Sequence, residues 1–596
     1  MRHGARMRAP IEGGNMRKKS ALAALFVSAA LIAGACGGGA SIVGSYKPGE
    51  GGAGGTLLVG DYQDVDSLHP YYYSTVMSAN VLATVWDGLV TLSNEAKYVP
   101  WMATEIPTIA NKGIVLPGEN GDAMTVTWKL RDGLVWSDGV AITCADAEYT
   151  HSWVMTEGNP LSTTGAAEIS DVECVDDLTI KLHYSEIYSG VYGGVGIMPK
   201  HYFEKYDINS GNPATDMVLG AGFRPEDLPN VPVSGPFKFA SRTEGVETVM
   251  VRNDKWKNPY SGEGTKLDSI KYVVCGDPDT CIAKFRAGEL DIVTDLDGNS
   301  FATTKDLGTQ QKAQSVFTYE FFRPNHSPDD CSILEPLKTT RGGGCPMSDP
   351  AMRKALAQAT DKNAIWERIL GEAGVIASSS VTPLAWFYKE QSPVKFDLAA
   401  AKKTLTDAGW VDSNGDGIVE KDGVSAILEF CTTMKPVRKS TIAYVAGDLA
   451  KIGIKAVYNG GGTIFAPWTE SDETLSCNLS RGNFDVALHA YSSGIEAVSL
   501  YGVYHSTKME PDGQNDAKVN DPALDAQLDI IKSTIDLEKI AAAAAKVQEI
   551  MAATTVEIPL YYWMGIELVS DKVKGFLSNP TQAGPLWNAG DLSLAN

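Results

Sequence analysis

Nine cysteines are the side chains whose positions point most directly to chemistry. Cys36 directly follows the small residues 33–35, where a cleaved signal would leave it as the N-terminal residue for acylation. The other eight form an even set, which in an oxidising compartment suits four disulfides rather than catalytic thiols. Eight cysteines allow 105 pairings. Proximity along the chain favours Cys144–Cys174, Cys275–Cys281, Cys331–Cys345 and Cys431–Cys477.

A second candidate for chemistry is an acidic loop that could hold calcium. Asp412, Asn414 and Asp416 offer side-chain oxygens at alternate positions, as the first half of an EF-hand loop does. Position twelve of that loop is Gly423 instead of a bidentate Glu. We therefore interpret the segment as a structural turn and keep calcium as the minor alternative.

Motifs of known catalytic sites are missing from the sequence. The eight histidines show no H-x-x-H or H-E-x-x-H spacing, and there is no G-x-S-x-G elbow, phosphate-binding glycine loop or C-x-x-C pair. Pairs of aspartates such as Asp176 and Asp177 are explained by turns and helix caps. The sequence therefore predicts a protein that is not an enzyme and that carries no cofactor.

The N-terminal segment has the order of a secretory signal. Basic residues 17–19 precede an apolar run over 21–32, which is shorter than the ~20 residues a membrane-spanning helix needs. We predict a signal peptide over 1–35 and a flexible glycine-rich tether over 36–55. Two alternatives remain: Met16 is the true start, and cleavage after Ala35 releases an unacylated protein. The even set of eight cysteines favours the lipid anchor, since release would leave an odd thiol.

Length and charge limit the partners. The chain of 596 residues is long enough for two or three domains with a large core, and its net charge of −22 argues against nucleic acid as a partner. No later apolar run is long enough to span a bilayer. We expect an exported monomer that is held by its N-terminus.

Helix and strand signals alternate along the body of the chain. Asp349-Pro350 and Asp521-Pro522 each combine an N-cap residue with proline at the first helical position. Thr143 and Asp146 form a capping-box pattern, and Gly409 and Gly453 follow amphipathic segments as helix-ending glycines. Strands are predicted over 123–130, 179–184, 454–458 and 484–488. This alternation predicts α/β layers around a mixed sheet.

Several segments, in the same order along the chain, resemble the extracytoplasmic solute-binding proteins of family 5, the binding components of oligopeptide, dipeptide and nickel ABC importers. The region 127–139, TWKLRDGLVWSDG, is similar to the family's best-known stretch. The other segments are SLHP at 67–70, WDGL at 86–89, SGPF at 234–237, RNDKW at 252–256, FRAGELD at 285–291, MRKAL at 352–356, IGIK at 452–455 and NFDV at 483–486.

The resemblance implies a two-lobed fold of the periplasmic-binding-protein type (type II, cluster C), with a subdomain in lobe I and two hinge crossovers. Lobe I would comprise 56–98, 234–318 and 560–596, with the subdomain at 99–233, and lobe II would comprise 319–559. The crossovers would lie near 319–325 and 559–563. Such proteins bind ligand between the lobes, and the closed form is recognised by a membrane permease.

The resemblance also implies a ligand site. In peptide-binding members an aspartate after the strand matching 484–490 pairs with the peptide's amino group; here Ser493 stands at that position, and Glu496 follows three residues later. His489 could instead bind ligand or a metal such as nickel, or simply pack in the core. The predicted ligand-binding residues are Tyr72, Tyr73, Ser74, Val76, Tyr319, Phe321, His489, Tyr491, Ser492, Ser493, Glu496 and Trp563.

The function that the resemblance implies is capture of a peptide or similar small solute, followed by delivery to the permease. The protein would be held by acylated Cys36 to the outer face of the bacterial cytoplasmic membrane. Two alternatives stay open. The chain could be a family member without an import role that regulates envelope assembly, or it could bind a saccharide or a metal complex.

Overall fold

The computed structural model describes residues 42–595 apart from 50–51, 74, 162, 164, 209, 213, 297, 372, 434, 461–463, 466–475 and 510–511. The predicted signal over 1–35, Cys36 and Ser74 lie outside the described residues. Among the helices that are described, none combines the length and the apolar character needed to cross a bilayer.

Strands make up a large mixed sheet, a small antiparallel sheet and several hairpins. Their bounds are β1 Thr56–Asp61, β2 Val90–Leu92, β3 Tyr98–Pro100, β4 Ile114–Val115, β5 Met124–Lys129, β6 Ile169–Asp176, β7 Thr179–Tyr184, β8 Phe237–Thr243, β9 Glu247–Arg252, β10 Ser269–Val274, β11 Ile292–Leu296, β12 Gln311–Pro324, β13 Val375–Ile376, β14 Glu420–Lys421, β15 Val424–Ser425, β16 Ile427–Thr432, β17 Lys455–Gly460, β18 Val486–Ser492, β19 Ile558–Val569, β20 Val573–Lys574 and β21 Ser593–Leu594.

Helices cover the faces of these sheets. Their bounds are α1 Val76–Leu82, α2 Cys144–Val154, α3 Lys200–Phe203, α4 Pro278–Arg286, α5 Gly298–Thr303, α6 Leu337–Thr340, α7 Pro350–Gln358, α8 Lys362–Arg368, α9 Leu398–Asp407, α10 Pro436–Ala450, α11 Ser499–Tyr504, α12 Pro522–Lys532 and α13 Leu537–Thr554.

The helix starts follow the sequence signals. Asp349 caps α7 and Asp521 caps α12, each through a side-chain oxygen that accepts a backbone N–H of the first turn. Thr143 and Asp146 form the predicted capping box of α2. A third Asp-Pro pair, at Asp277, caps α4 in the same way. The helix therefore begins within the segment between Cys275 and Cys281.

The eleven-stranded sheet divides into two halves that share two long strands. Its order is β17-β16-β18-β12-β19-β11-β1-β10-β9-β8, with β13 paired to β19. Strands β12 and β19 are antiparallel and pair with each other in both halves. One half therefore contains β17, β16 and β18, the other contains β11, β1, β10, β9 and β8, and the two long strands cross between them.

The register of the crossing strands shifts at two points, between Glu320 and Phe321 and, over a longer interval, between Ser315 and Tyr319. Ser315 lies opposite Met564 and Tyr319 lies opposite Tyr562, so β12 advances four residues where β19 advances two. In this interval Phe317 donates its N–H to the carbonyl of Pro580 (3.3 Å) and accepts the N–H of Ser493 at its own carbonyl (2.9 Å). The break lies directly before the crossover that we predicted at 319–325.

Three large apolar clusters form the core. One surrounds β1 and β10, and a second surrounds β16 and α10. The third joins the four-stranded sheet, of order β4-β5-β7-β6, to helices α12 and α13. The four-stranded sheet lies within the predicted subdomain at 99–233, and the third cluster packs it against the β16 half of the chain.

Residues 42–49 of the predicted tether form ordered contacts with the body of the protein. Val43 forms a bridge with Tyr98. Tyr98 also donates its N–H to the Ile42 carbonyl (2.8 Å) and accepts the Gly44 N–H (2.8 Å). Tyr46 packs edge-on against Trp101 and Trp587, with ring centroids 5.4 and 5.3 Å apart. The expectation of a flexible segment up to residue 55 was wrong for 42–49, because Ile42 and Tyr46 bury apolar surface that a solvated tether would expose.

All four predicted cysteine pairs are disulfide bonded in the structure: Cys144–Cys174, Cys275–Cys281, Cys331–Cys345 and Cys431–Cys477. The bridges connect neighbouring elements, such as the start of α2 to β6. This arrangement fits a structural role, in which the bridges restrict the unfolded chain.

A buried ion pair connects elements of the half of the sheet that contains β16. Arg341 donates to Asp485 (2.6 Å), and both side chains are fully buried. Asp485 also accepts the backbone N–H of Glu429 at 2.8 Å. Burial raises the pKa of Asp485 to about 6, although Arg341 opposes this shift.

We predict that Arg341→Met lowers the free energy of unfolding by about 3–5 kcal/mol, because it leaves Asp485 buried without its cation. Lys403→Met is the matched control, since Lys403 pairs with Asp407 but is 73% exposed. Loss of such a surface pair should change stability by less than about 1 kcal/mol. Urea unfolding with intact disulfides measures the change in free energy of unfolding for both variants. Equal changes would show that the buried pair contributes no more to stability than the surface pair.

Candidate functional site

The loop after β1 is anchored by a buried histidine. Nδ1 of His69 accepts the backbone N–H groups of Tyr71 (3.1 Å) and Tyr72 (3.2 Å). Nδ1 therefore carries no hydrogen, and Nε2 does. Burial lowers the pKa of His69 to about 3, so the ring stays neutral and keeps this acceptor throughout the physiological range.

Aromatic side chains enclose the His69 ring. Its centroid lies 4.4 Å from that of Tyr72, 4.8 Å from Phe223 and 5.4 Å from Trp153. The Phe223 ring stands edge-to-face to the imidazole, an arrangement in which Nε2–H can point at a π face. The enclosure fixes His69, and through its two hydrogen bonds it fixes the backbone that carries Tyr71 and Tyr72.

The predicted residues of this loop differ in exposure. Tyr72 is half-buried and donates its hydroxyl to Asn159 (2.9 Å). Tyr73 is 41% exposed and Val76, the first residue of α1, is 56% exposed. Of the four residues predicted here, Tyr73 and Val76 present the most side-chain surface, and Ser74 is outside the described residues.

The predicted residues of the crossing strands come together on one face. Tyr319 lies opposite Tyr491 and Phe321 lies opposite His489 in the β12–β18 pair. Tyr319, Phe321 and His489 are buried, whereas Tyr491 is half-buried. Tyr319 donates its hydroxyl to Glu557 (2.8 Å). In this conformation the three buried side chains form the core beneath the crossing strands, and Tyr491 remains partly accessible.

His489 has the surroundings of a packed side chain. Its ring lies 4.5 Å from Phe321 and 5.5 Å from Phe465, both edge-to-face. Burial is the largest influence on His489 and lowers its pKa well below the ordinary value, so the ring is neutral. Nε2 is buried without a partner among the described residues. The core role that we weighed against a ligand role matches these contacts.

The loop after β18 meets the break in β12. Ser492 is exposed and shares a hydrogen bond with Thr318 (2.6 Å). Ser493 is buried, and its hydroxyl donates to the Phe317 carbonyl (3.2 Å). The position that would hold the family's aspartate is thus occupied by a neutral side chain that is already bonded to a crossing strand.

The remaining two predicted residues, Glu496 and Trp563, each form a polar contact of their own. Glu496 accepts the hydroxyl of Tyr98 (3.1 Å), a residue of β3. Trp563 donates its indole N–H to Glu320 (3.1 Å), and the Lys435 ammonium lies 4.7 Å from its ring. Trp563 is half-buried, so its ring is partly accessible.

Sequence reasoning missed a buried charged network beneath these residues. Arg323 of β12 forms ion pairs with Asp516 and with Glu557 (3.3 Å), and Tyr504 donates to Glu557 (3.0 Å). Glu320 and Arg438 form a second buried pair, with contacts of 2.5 and 3.1 Å. The available signal was the presence of charged residues inside the apolar run of β12, since charged side chains are seldom buried unless paired.

The acidic loop forms a compact turn. Asp412 accepts the backbone N–H groups of Gly415 (2.7 Å) and Gly417 (3.0 Å). Asn414 donates its side-chain amide to Glu420 (2.8 Å) and to Asp416 (3.2 Å). The carboxylates of Asp412, Asp416 and Glu420 lie within 4.8 Å of one another. The side-chain amide of Asn414 lies between Asp416 and Glu420 and donates a hydrogen bond to each. These bonds are those of a structural turn.

Comparison with known proteins gives a consistent result. The sequence profile described as bacterial extracellular solute-binding proteins, family 5 (middle) matches residues 97–509. Oligopeptide-binding protein AppA of Bacillus subtilis (strain 168) is 23% identical over 584 residues, covering 95% of this chain and 97% of that protein.

Solved structures show the same fold. AppA from Bacillus subtilis in complex with a nonapeptide has a TM-score of 0.70 at 20% identity, covering 92% of this chain and 100% of that chain. NikZ from Campylobacter jejuni in complex with Ni(L-His) has a TM-score of 0.69 at 20% identity, covering 90% of this chain and 99% of that chain. These likenesses confirm the two-lobed α/β fold that the sequence predicted.

We predict that His69→Leu lowers the free energy of unfolding by about 1–3 kcal/mol, because the N–H groups of Tyr71 and Tyr72 lose their acceptor. Chymotrypsin should then cleave faster after Tyr71, Tyr72 or Tyr73. His69→Asn should recover much of the loss, since its side-chain oxygen can accept the same N–H groups.

His201→Leu is the matched control for this substitution, since His201 is partly exposed and pairs with Asp138 at the surface (2.7 Å). Cleavage of His69→Leu at the wild-type rate would show that the histidine does not hold this loop.

Proposed function

Because the chain belongs to family 5 of the bacterial extracellular solute-binding proteins, we propose that it captures a peptide or a similar small solute and delivers it to the permease of an ABC importer. The protein binds and releases its ligand without chemical turnover. The fold comparison that carries this proposal most directly is AppA, which was solved with a nonapeptide and matches nearly the whole chain.

The geometry supports closure of two lobes on a ligand. Two strands connect the halves, and their pairing is interrupted where Phe317 bonds to Ser493 on one side and Pro580 on the other. A few residues that absorb a rotation are the usual structure of a hinge. The proposal also includes the domain organisation and the oligomeric state. It places lobe boundaries at 319 and 559–560, a subdomain at 99–233, and a monomeric protein.

The ligand is held mainly by aromatic faces and backbone groups. Tyr73, Tyr491 and Trp563 offer accessible rings, whereas Ser493 replaces the aspartate that would pair with a peptide's ammonium group. Glu496, the carboxylate three residues later, is already bonded to Tyr98. We therefore propose a peptide or peptide-like solute whose free amino group contributes little to the affinity.

We propose that the N-terminus anchors the protein to the membrane. Only residues 37–41 separate Cys36 from the docked segment that begins at Ile42. Acylation of Cys36 would hold the body close to the outer face of the cytoplasmic membrane, beside the permease. Intact mass of protein purified from its own membranes tests this step, because a diacylglyceryl group adds a defined mass to the fragment that contains Cys36.

We predict that a pool of synthetic peptides, from dipeptides to nonapeptides, contains ligands that raise the melting temperature. A ligand at a hundred times its Kd adds about 2.7 kcal/mol to the free energy of unfolding. Tyr73→Ala should weaken this shift in melting temperature. Tyr458→Ala is the matched control and should leave the shift unchanged, because Tyr458 is similarly exposed but lies on β17, the edge strand of the large sheet. The absence of any shift with the entire pool would contradict the proposal.

N-acetylation of a hit tests the ligand class. Loss of a charge-assisted hydrogen bond costs about 1.5–3 kcal/mol, which is at least roughly a tenfold loss of affinity. Because Ser493 is neutral and bonded, we expect the acetylated peptide to bind within about threefold of the free one. A loss of tenfold or more in calorimetry would show that an acidic group, with Glu496 the first candidate, binds the amine.

A further inference from the structure

Glu496 lies where the two halves of the protein meet, and a residue from the other half bonds to it. The hydroxyl of Tyr98 donates to Oε1 of Glu496 (3.1 Å) across 398 positions of sequence. The backbone N–H of Tyr192 is a second donor to this carboxyl group. Glu496 follows β18, whereas Tyr98 begins β3 and Tyr192 follows β7.

Phenolic side chains surround the carboxyl group. Tyr98, Tyr184, Tyr188 and Tyr192 are all buried and all interact electrostatically with Glu496. Burial raises the pKa of Glu496 to about 7, and the hydrogen bonds from Tyr98 and Tyr192 oppose that rise. The neutral acid is thus the favoured form of Glu496 below about pH 7 in this conformation.

Charged groups nearby belong to a separate contact between the same two halves. Lys532 at the end of α12 lies 3.5 Å from Glu168 and 3.8 Å from Glu186, and its carbonyl accepts the N–H of Ser189 (3.1 Å). Glu168 faces Tyr184 and Tyr188 from the side of the four-stranded sheet. These contacts connect the two halves beside Glu496, which is itself half-buried.

The backbone of Tyr98 is itself fixed by the N-terminal segment. Ile42 and Gly44 each form a hydrogen bond of 2.8 Å with it. Tyr98 is therefore a rigid partner for Glu496, and its hydroxyl loses this contact when the halves separate rather than following the carboxyl group.

We propose that Glu496 and Tyr98 form a proton-linked latch of the closed state, a step that rests on the lobe closure of the proposed function. On closing, the Glu496 carboxylate takes one proton from solvent and enters the phenolic enclosure as a neutral acid. On opening, it returns to water and releases that proton. The sign follows from linkage: the closed form binds the proton more tightly, so acid favours closing and the contribution is lost as pH rises through about 7.

This role differs from ligand contact. A latch changes the equilibrium between the open and closed forms of the ligand-free protein. It thereby changes the apparent affinity of a ligand that binds the closed form. It also explains why a carboxyl group can be tolerated in an apolar enclosure, since the group is charged only when the halves are apart.

Small-angle scattering of the ligand-free mature protein from about pH 5 to about pH 8 tests the latch. The wild-type radius of gyration should rise with pH, with a midpoint between the ordinary glutamate pKa of 4.5 and the closed-state value of about 7. Glu496→Gln should remain compact without a pH transition. Tyr98→Phe should shift the midpoint to lower pH, because the neutral closed form loses one hydrogen bond and is less stable relative to the open form. This variant keeps the test decisive if Glu496→Gln does not fold.

Glu567→Gln is the matched control. Glu567 is a buried carboxyl group whose pKa is likewise raised to about 7 by burial, but it accepts the hydroxyl of Ser578, a residue of the same predicted lobe segment 560–596. This variant should keep the wild-type transition. A wild-type radius that does not change with pH, or a transition that persists unchanged in Glu496→Gln, would overturn the latch.

The pool of dipeptides to nonapeptides at the alkaline end of the range separates the two proposals. Compaction by peptides without any response to pH would leave the transport function standing and refute the latch. A pH response that Glu496→Gln abolishes, together with no peptide response, would support the latch and count against peptide capture. No compaction under either condition would refute both.

Discussion

The antiparallel pair of β12 and β19 is the constraint on which the rest of the structure depends. Each strand must satisfy its backbone hydrogen bonds in both halves of the sheet, so one antiparallel strand pair joins the two halves. The ladder is interrupted between Ser315 and Tyr319, where Phe317 turns its backbone groups to Ser493 and Pro580. In the proposed closure, the relative movement of the halves takes place at this short segment.

Buried charges stiffen the part of β12 that follows that segment. Arg323 pairs with Asp516 and Glu557 under β12, and Glu320 pairs with Arg438 on the opposite face of the same strand. Charged groups with fixed hydrogen-bond partners resist displacement, because separation would leave a charge buried without compensation. The seam at Glu496 is different: its partner Tyr98 is neutral, and water can replace that hydrogen bond when the halves part.

Local signals predicted much of the fold. The Asp-Pro caps at 349–350 and 521–522 placed two helices, and cysteine proximity gave all four bridges. The same cap at Asp277 was not among the predicted helix starts, although it begins α4. The docking of 42–49 could not be predicted either, since the partners of Ile42 and Tyr46 are distant in sequence and glycine-rich composition indicates only flexibility. For the same reason the contacts of Ser493 and Glu496 appear only in the folded chain.

The distance between the two lobes tests the central claim most directly. Single-molecule energy transfer between one dye on the β8–β9 hairpin and one on α9 would report it in the wild-type protein. Our account predicts a shorter distance when the peptide pool is added, and return to the original distance on its removal. An unchanged distance with a peptide that calorimetry shows to be bound would contradict the account, because capture would then occur without closure.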